Sequence, residues 1–335
     1  MRAFVQSCTL WLEELRYFPS SIHLRHIVYA GLLFDLVALA IAFLVGPKEY
    51  LEPHLLFLRA HRVALAFLTG AMLSVSGTAL QALLKNPLAD PYMVGVTGGA
   101  ALGGTLALLL PLNSFFLFPP TCAAVGALGA TLLLARGRGH SPVTPILLGV
   151  LFNTFATAII TFVKVLLPPE RARSLNFWLT GSLMYPETLD LALLVITCSA
   201  VLFFLVRNSG KLNLLALGDD DATRLGLNTE SARHMFYVLL SIGLGAIVSY
   251  VGMVGFVGFV IPHVLRLIFG ADQRVLLTAS IFFGGAVLVL VDALSRASFF
   301  VIGTELPTGA LTALIGAPFA AFIFLRKGNR YGDER

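Results

Sequence analysis

Apolar runs of about 20 residues, the length that crosses a bilayer as a helix, recur along the whole sequence. They fall at 27–46, 63–84, 93–112, 115–135, 143–167, 187–207, 235–252, 253–269, 275–297 and 306–326, which predicts about ten transmembrane helices in an all-α, polytopic membrane protein. The seventh and eighth runs meet around Gly252 without a linker, and the eighth is short. The spaces between runs are too small for a further folded domain; the longest is 208–234. The expected organisation is an N-terminal cytoplasmic or interfacial segment at 1–26, one transmembrane domain at 27–326 and a tail at 327–335. The first segment lacks a small-residue cleavage site after a short apolar core and does not read as a signal peptide.

Composition agrees with the pattern. Of 335 residues, 57% are hydrophobic and 12% charged, about half the charged share of an ordinary soluble domain. The net charge of +5 suits basic loops on the cytoplasmic side of a membrane and does not call for nucleic acid. With ten alternating spans and both termini inside, sixteen of the 23 Lys and Arg residues lie at cytoplasmic ends and seven at outer ends. An odd span count would scatter them. Cys8, Cys122 and Cys198 are too dispersed for a metal site or a disulfide framework, and no cofactor is expected.

Polarity gathers in a few places. The stretch "QALLKNPLADPYMVGVTGGAALGG", 81–104, breaks an apolar region with Lys85, Asn86, Asp90, Pro87 and Pro91. Each proline removes a donor and disfavours helix at the preceding residue. Non-helical backbone at membrane depth must be buried in protein or line a watery cavity, so this break is either a tight polar turn or part of a pathway. Behind it, Gly95, Gly99 and Gly103 recur every four residues and leave one helix face bare for close packing. In the fifth span, Asn153, Thr157 and Thr161 recur at the same interval and Lys164 continues the line, which places one polar stripe on one helix face. Thr308, Thr312 and Gly316 repeat the pattern more weakly in the tenth.

Two further features are ionic. Asp292 and Arg296 are i, i+4 partners near the outer end of the ninth span, either a self-neutralising pair or a functional one. On the cytoplasmic side, "LALGDDDATRLGLNTESAR" places Gly218 before three acids that suit a helix N-terminus and Gly226 where a helix would stop. Leu217, Ala222 and Leu225 make one side of this short helix apolar, as a docking surface would be. The sequence has no GxxxxGK[ST] phosphate loop, HExxH or nucleophile elbow, so it carries no catalytic residues and no ATP site of that kind.

At this point several long stretches resemble one family. "GAMLSVSGTALQALLKNPLADPYMVGVTGGAALG", "LALGDDDATRLGL", "GMVGFVGFVIPHVLRLIFGADQRVLL", "VDALSR" and "ELPTGALTALIGAPF" resemble, in order and from about residue 56 to 326, the FecCD family. These are membrane permeases of ABC importers for iron–siderophores, haem and cobalamin. The resemblance implies the type II importer permease fold in a bacterial or archaeal cytoplasmic membrane. It also implies a homodimer with the pathway on its two-fold axis, two separate ATPase subunits inside and a substrate-binding protein outside.

Residue by residue, the resemblance implies ATPase coupling through the segment 211–231, at Gly218, Asp219, Ala222, Arg224, Leu225 and Gly226. It implies a cytoplasmic gate at Ser141, Pro142 and Val143 and a pathway lined by the fifth helix, where the polar stripe places Asn153, Thr157 and Thr161; the weaker stripe of the tenth span adds Thr308 and Thr312 as candidates. Arg59, Arg62 and Arg296 would receive acidic residues of the binding protein. His61 departs from the family, which often has proline there, and Asp292 is placed to occupy Arg296 instead. The competing class is an ion-coupled secondary transporter or a channel. It would need acids inside several spans, and only Asp35 and Asp292 qualify. The cargo stays open among siderophore, haem and cobalamin.

Overall fold

A computed structural model of the chain describes residues 23–45, 53–92, 95–107, 109, 118–136, 144–183 and 186–332. In order, the helices are α1 His23–Leu44, α2 Pro53–Leu83, α3 Val96–Ala107, α4 Phe118–Arg136, α5 Thr144–Leu166, α6 Pro169–Leu179 and α7 Thr188–Arg207. They continue as α8 Ser209–Leu217, α9 Asp219–Arg224, α10 Thr229–Val251, α11 Val257–Phe269, α12 Gln273–Ala297, α13 Phe299–Ile302 and α14 Thr308–Gly332. Each of the ten expected spans coincides with a helix. Among the described residues six helices are long and apolar enough to cross a membrane, and the apolar parts of α4, α11 and α14 are shorter. The protein is a multi-pass, all-helical membrane protein.

The centre of the bundle is α2. Nearly nine-tenths of its apolar window is buried, with α12 and α11 packed along it. In lipid such packing rests on close backbone approach at small residues. A methyl group at Gly70 would overlap the Gly284 carbonyl of α12, and one at Gly77 would overlap the Gly258 carbonyl of α11. Polar side chains in the same seam pair with each other, as Thr78 Oγ1 does with Ser280 Oγ at 2.9 Å. A second pair, α3 on α4, is packed in the same way: Gly99 and Gly126 each lie against the other's carbonyl, and Gly103 lies against that of Cys122. The four-residue glycine repeat is thus a packing device at Gly99 and Gly103, while Gly95 has φ +88° and belongs to the turn before α3. At twelve residues, α3 is about 18 Å long, too short to cross the hydrocarbon alone. It stays within the protein, with most of its residues buried.

The boundary around Gly252 is a true break. Gly252 has φ +73° and Phe256 φ +67°, so the chain leaves helix after Val251 and re-enters at Val257. The gap is filled by the turn after α6: the Ser182 amide donates to Val251 O at 3.0 Å and Gly309 N to Gly181 O at 2.7 Å. The amphipathic helix α6 has no counterpart among the ten apolar runs. Its sequence, "PERARSLNFWL", starts with proline at the first helical position and is anchored by Trp178 Nε1 donating to Ser249 O at 3.1 Å.

Candidate coupling and pathway sites

The helix α9 is set by its two glycines. Gly218 turns the chain at φ +141° and Gly226 reverses it at φ +85°. At the far end Leu227 N donates to Ala222 O at 3.0 Å and Gly226 N to Thr223 O at 2.9 Å, the Schellman arrangement. Ala222 is fully buried on the protein side, whereas Leu217 and Leu225 are 65% and 62% exposed. Arg224 is exposed too. The expected coupling residues thus divide. Gly218, Asp219, Ala222 and Gly226 shape and anchor the segment, and Arg224 and Leu225 with Leu217 present an outward apolar and basic surface.

Asp219 is the anchor. Its carboxylate accepts from Arg233 Nη2 and lies 3.3 Å from Lys85 Nζ, while Arg233 Nη1 donates to Leu83 O at 2.5 Å. Partial burial raises the Asp219 carboxyl, but the bond and charge of Arg233 and the charge of Lys85 outweigh it and hold it below 3.8. A depressed carboxyl contributes its hold above the unfolded value and loses it as pH falls through the folded one. A nitroxide at Asp220→Cys should therefore show unchanged mobility from about pH 8 to pH 5 and loosen only below about 3.8.

Lys85 belongs to the polar break of 81–104, which the structure makes a hydrogen-bonded turn. Lys85 itself has φ +49°. Asn86 Oδ1 accepts from Leu88 N at 2.9 Å and Asp90 Oδ1 from Tyr92 N at 2.7 Å. Gln81, buried at the end of α2, donates to Ala89 O and Gly258 O and accepts from Arg266 Nη2. Every polar side chain that interrupts the apolar sequence here satisfies local backbone or reaches a neighbouring helix.

On α5 the polar stripe divides. Asn153 turns inward, with Nδ2 donating to Tyr92 O at 2.7 Å and Oδ1 pressed against Gly98. Thr157 and Thr161 face outward, and the Thr161 hydroxyl returns to Thr157 O at 2.8 Å. Phe155, Phe162 and Val165 beside them are also exposed. In the tenth span the two threonines are buried within one subunit. Thr308 and Thr312 are 1% and 5% exposed within one subunit, and Thr312 bonds to Gly309 O at 2.9 Å, because Gly309 seats this end of α14 against Thr180 and Met253. They line no open face. Ser141, Pro142 and Val143 lie outside the described residues.

The arginines at the opposite end of the bundle are bound up within one subunit. Arg59, Arg62 and Arg296 are only 5–7% exposed. Asp292, fully buried, receives Arg62 Nε at 2.9 Å and Arg296 Nε at 3.1 Å, and Arg62 Nη1 reaches Glu305 at 2.7 Å. Arg59 Nη1 donates to Phe43 O at 2.6 Å, and Arg296 Nη1 to Ala42 O and Val45 O at 2.9 and 3.1 Å. Those of Ala42 and Phe43 are last-turn carbonyls of α1, which have no partner inside the helix and carry the negative end of its dipole, and Val45 follows directly after it. The three side chains clamp α1, α2 and α12 together within one subunit. Among the described residues no group of His, Cys, Asp or Glu could hold a metal ion.

A multi-pass helical bundle with a glycine-framed short helix at one end and a helix with exposed threonines along its side has the build of a transport permease. Residues 24–326 match the FecCD transport family, and the chain belongs to it. It is 37% identical over 274 residues to the cobalamin import system permease protein BtuC of Halobacterium salinarum, covering 80% of this chain and 72% of that one. To the hemin transport system permease protein HmuU of Yersinia pestis it is 35% identical over 283 residues, 81% of this chain and 82% of that one. A solved inward-facing ABC transporter, described as of the metal-chelate type, superposes with TM-score 0.79 at 28% identity, covering 90% of this chain and 99% of the other.

Proposed function

We propose that this chain is the membrane subunit of an ABC importer for an iron chelate, haem or cobalamin. It works as a homodimer whose pathway runs between the two α5 helices, with both termini in the cytoplasm. Two separate ATPase subunits dock on the segment 211–231, and a binding protein delivers cargo at the outer face. The single observation that carries the reading is the surface around α9: Leu217 and Leu225, which flank it, are more than half exposed beside a helix otherwise tied to the protein. A solvated loop gains nothing from that arrangement; a docking helix needs it. At the outer face the arginine trio is already engaged, so we assign contact with the binding protein to the exposed Arg171 and Arg173 of α6. Relatives named for cobalamin and hemin transport support the cargo class. An ion-coupled transporter is disfavoured by its own candidates. Asp292 is held by two arginines, and Asp35 shares a side of α1 with Gly31, which packs on Phe282 of α12 away from α5.

The test is uptake into proteoliposomes with labelled ferric siderophore, haemin and cobalamin in turn. Uptake of one of them should require ATP and the partner ATPase, and the chain alone should hydrolyse none. ATP-independent uptake by the chain alone would refute the proposal. Thr157→Leu should lower uptake at unchanged melting temperature, because Thr157 is exposed in one subunit and its role lies in the water between two. A fall in melting temperature with normal uptake would assign this face to packing.

A further inference from the structure

The turn after α2 touches the docking segment at one end and the pathway helix at the other. Its first residues meet α9, through Lys85 Nζ at 3.3 Å from Asp219 and Arg233 bridging Asp219 to the Leu83 carbonyl. Its last described residue meets α5, through Tyr92 O accepting from Asn153 Nδ2 at 2.7 Å. We infer that residues 84–92 form a strut that carries movement of α9 to α5, with Lys85 and Tyr92 as its two ends and Asn153 as a positioning residue. This rests on the reading of α9 as the ATPase-docking helix.

A strut must resist bending, and this one has internal ties throughout. Asn86 N donates to Gln81 O at 3.0 Å and Ala89 N to Asn86 O at 3.1 Å. The Asn86 and Asp90 carbonyl-type oxygens fix the amides two residues on, the local turn these side chains favour. Pro87 and Pro91 lock φ at their positions, and Pro91 lies against Gly258 where a methyl group would not fit. The joint to α5 is directional. Gly98 presses on Asn153 Oδ1, so turning the amide over would set oxygen against the Tyr92 carbonyl and strand the Nδ2 donors. Alternative routes from α9 to α5 run along α10 and then α4 or α3, since α9 packs on α10, α10 on both α4 and α3, and both of these on α5. Only the strut route depends on Lys85 and on the Asn153 bond to Tyr92 together.

Two variants cut it without emptying the core. Asn153→Asp keeps the side chain's shape and replaces the donor facing Tyr92 with an acceptor. Lys85→Glu, at a side chain 41% exposed, opposes Asp219 at the other end. The complex with its ATPase subunits would carry nitroxides at Asp220→Cys or at Thr157→Cys in a background free of native cysteines, each label paired with its copy in the homodimer. On adding a non-hydrolysable ATP analogue, both label pairs should change separation in the unmodified protein. In each variant the Asp220 pair should still shift while the shift of the Thr157 pair is lost. A Thr157 pair that never moves, or that moves equally in both variants, overturns the strut. An Asp220 pair that does not respond in the unmodified protein overturns the docking reading, and the strut falls with it.

Discussion

Asp292→Leu is expected to destabilise the folded permease by about 3–5 kcal/mol, the usual cost of removing one member of a buried ion group and stranding the rest. The carboxylate is fully buried and is shared by Arg62 and Arg296, which are themselves 5% and 7% exposed. Without it, two guanidiniums face each other inside the protein. The carbonyls of α1 and the carboxylate of Glu305 leave both charges only partly compensated. Thermal unfolding in detergent should show a large fall in melting temperature and a low yield of dimer. Glu305→Gln is the control. Its side chain is 42% exposed, and an ion pair with that much water is worth less than about 1 kcal/mol. Equal losses in the two variants would mean that the cluster is not organised around Asp292.

Leu225→Asp should do the opposite, sparing the fold and abolishing transport. Leu225 is 62% exposed in the isolated subunit, so a charge there costs the permease little on its own. Buried under an ATPase subunit, the same charge would cost a few kcal/mol, and about 1.4 kcal/mol is already tenfold in affinity. Co-purification of the ATPase and ATP-driven uptake should fall together while the melting temperature stays put. Full uptake by this variant would remove α9 from the coupling role.

The sequence carried the spans and the short helix α9 well, for identifiable reasons. Twenty-residue apolar runs have few alternatives in a chain this poor in charge, and Gly218 and Gly226 bracket a segment too short to be anything but one or two helical turns. The mutual approach of Gly99 and Gly126 was half visible, since the repeat in α3 was plain and its partner in α4 was not. Other features left no local trace. The bond from Arg62 to Asp292 spans 230 residues, and nothing in "LRAHRV" tells a buried arginine from one at the surface. Thr308 and Thr312 follow the same spacing as Thr157 and Thr161, but a threonine can satisfy itself on its own backbone and sit equally well in a packed seam. The helix α6 was missed because its apolar residues, Leu175, Phe177, Trp178 and Leu179, cluster at one end of a polar stretch too short to show a period.

The clamp on α2 also bears on how the chain is made. Arg62 enters the membrane with its helix, and its acidic partner follows 230 residues later. At about 5–20 residues per second, translation takes roughly 12–46 s to supply it. Through that interval α2 must hold its two arginines toward the headgroups, sheltered by nothing yet synthesised from α12. Biogenesis of this permease therefore ends with a late docking step, and a nascent chain stopped before residue 273, where α12 begins, would leave α2 exposed to membrane quality control.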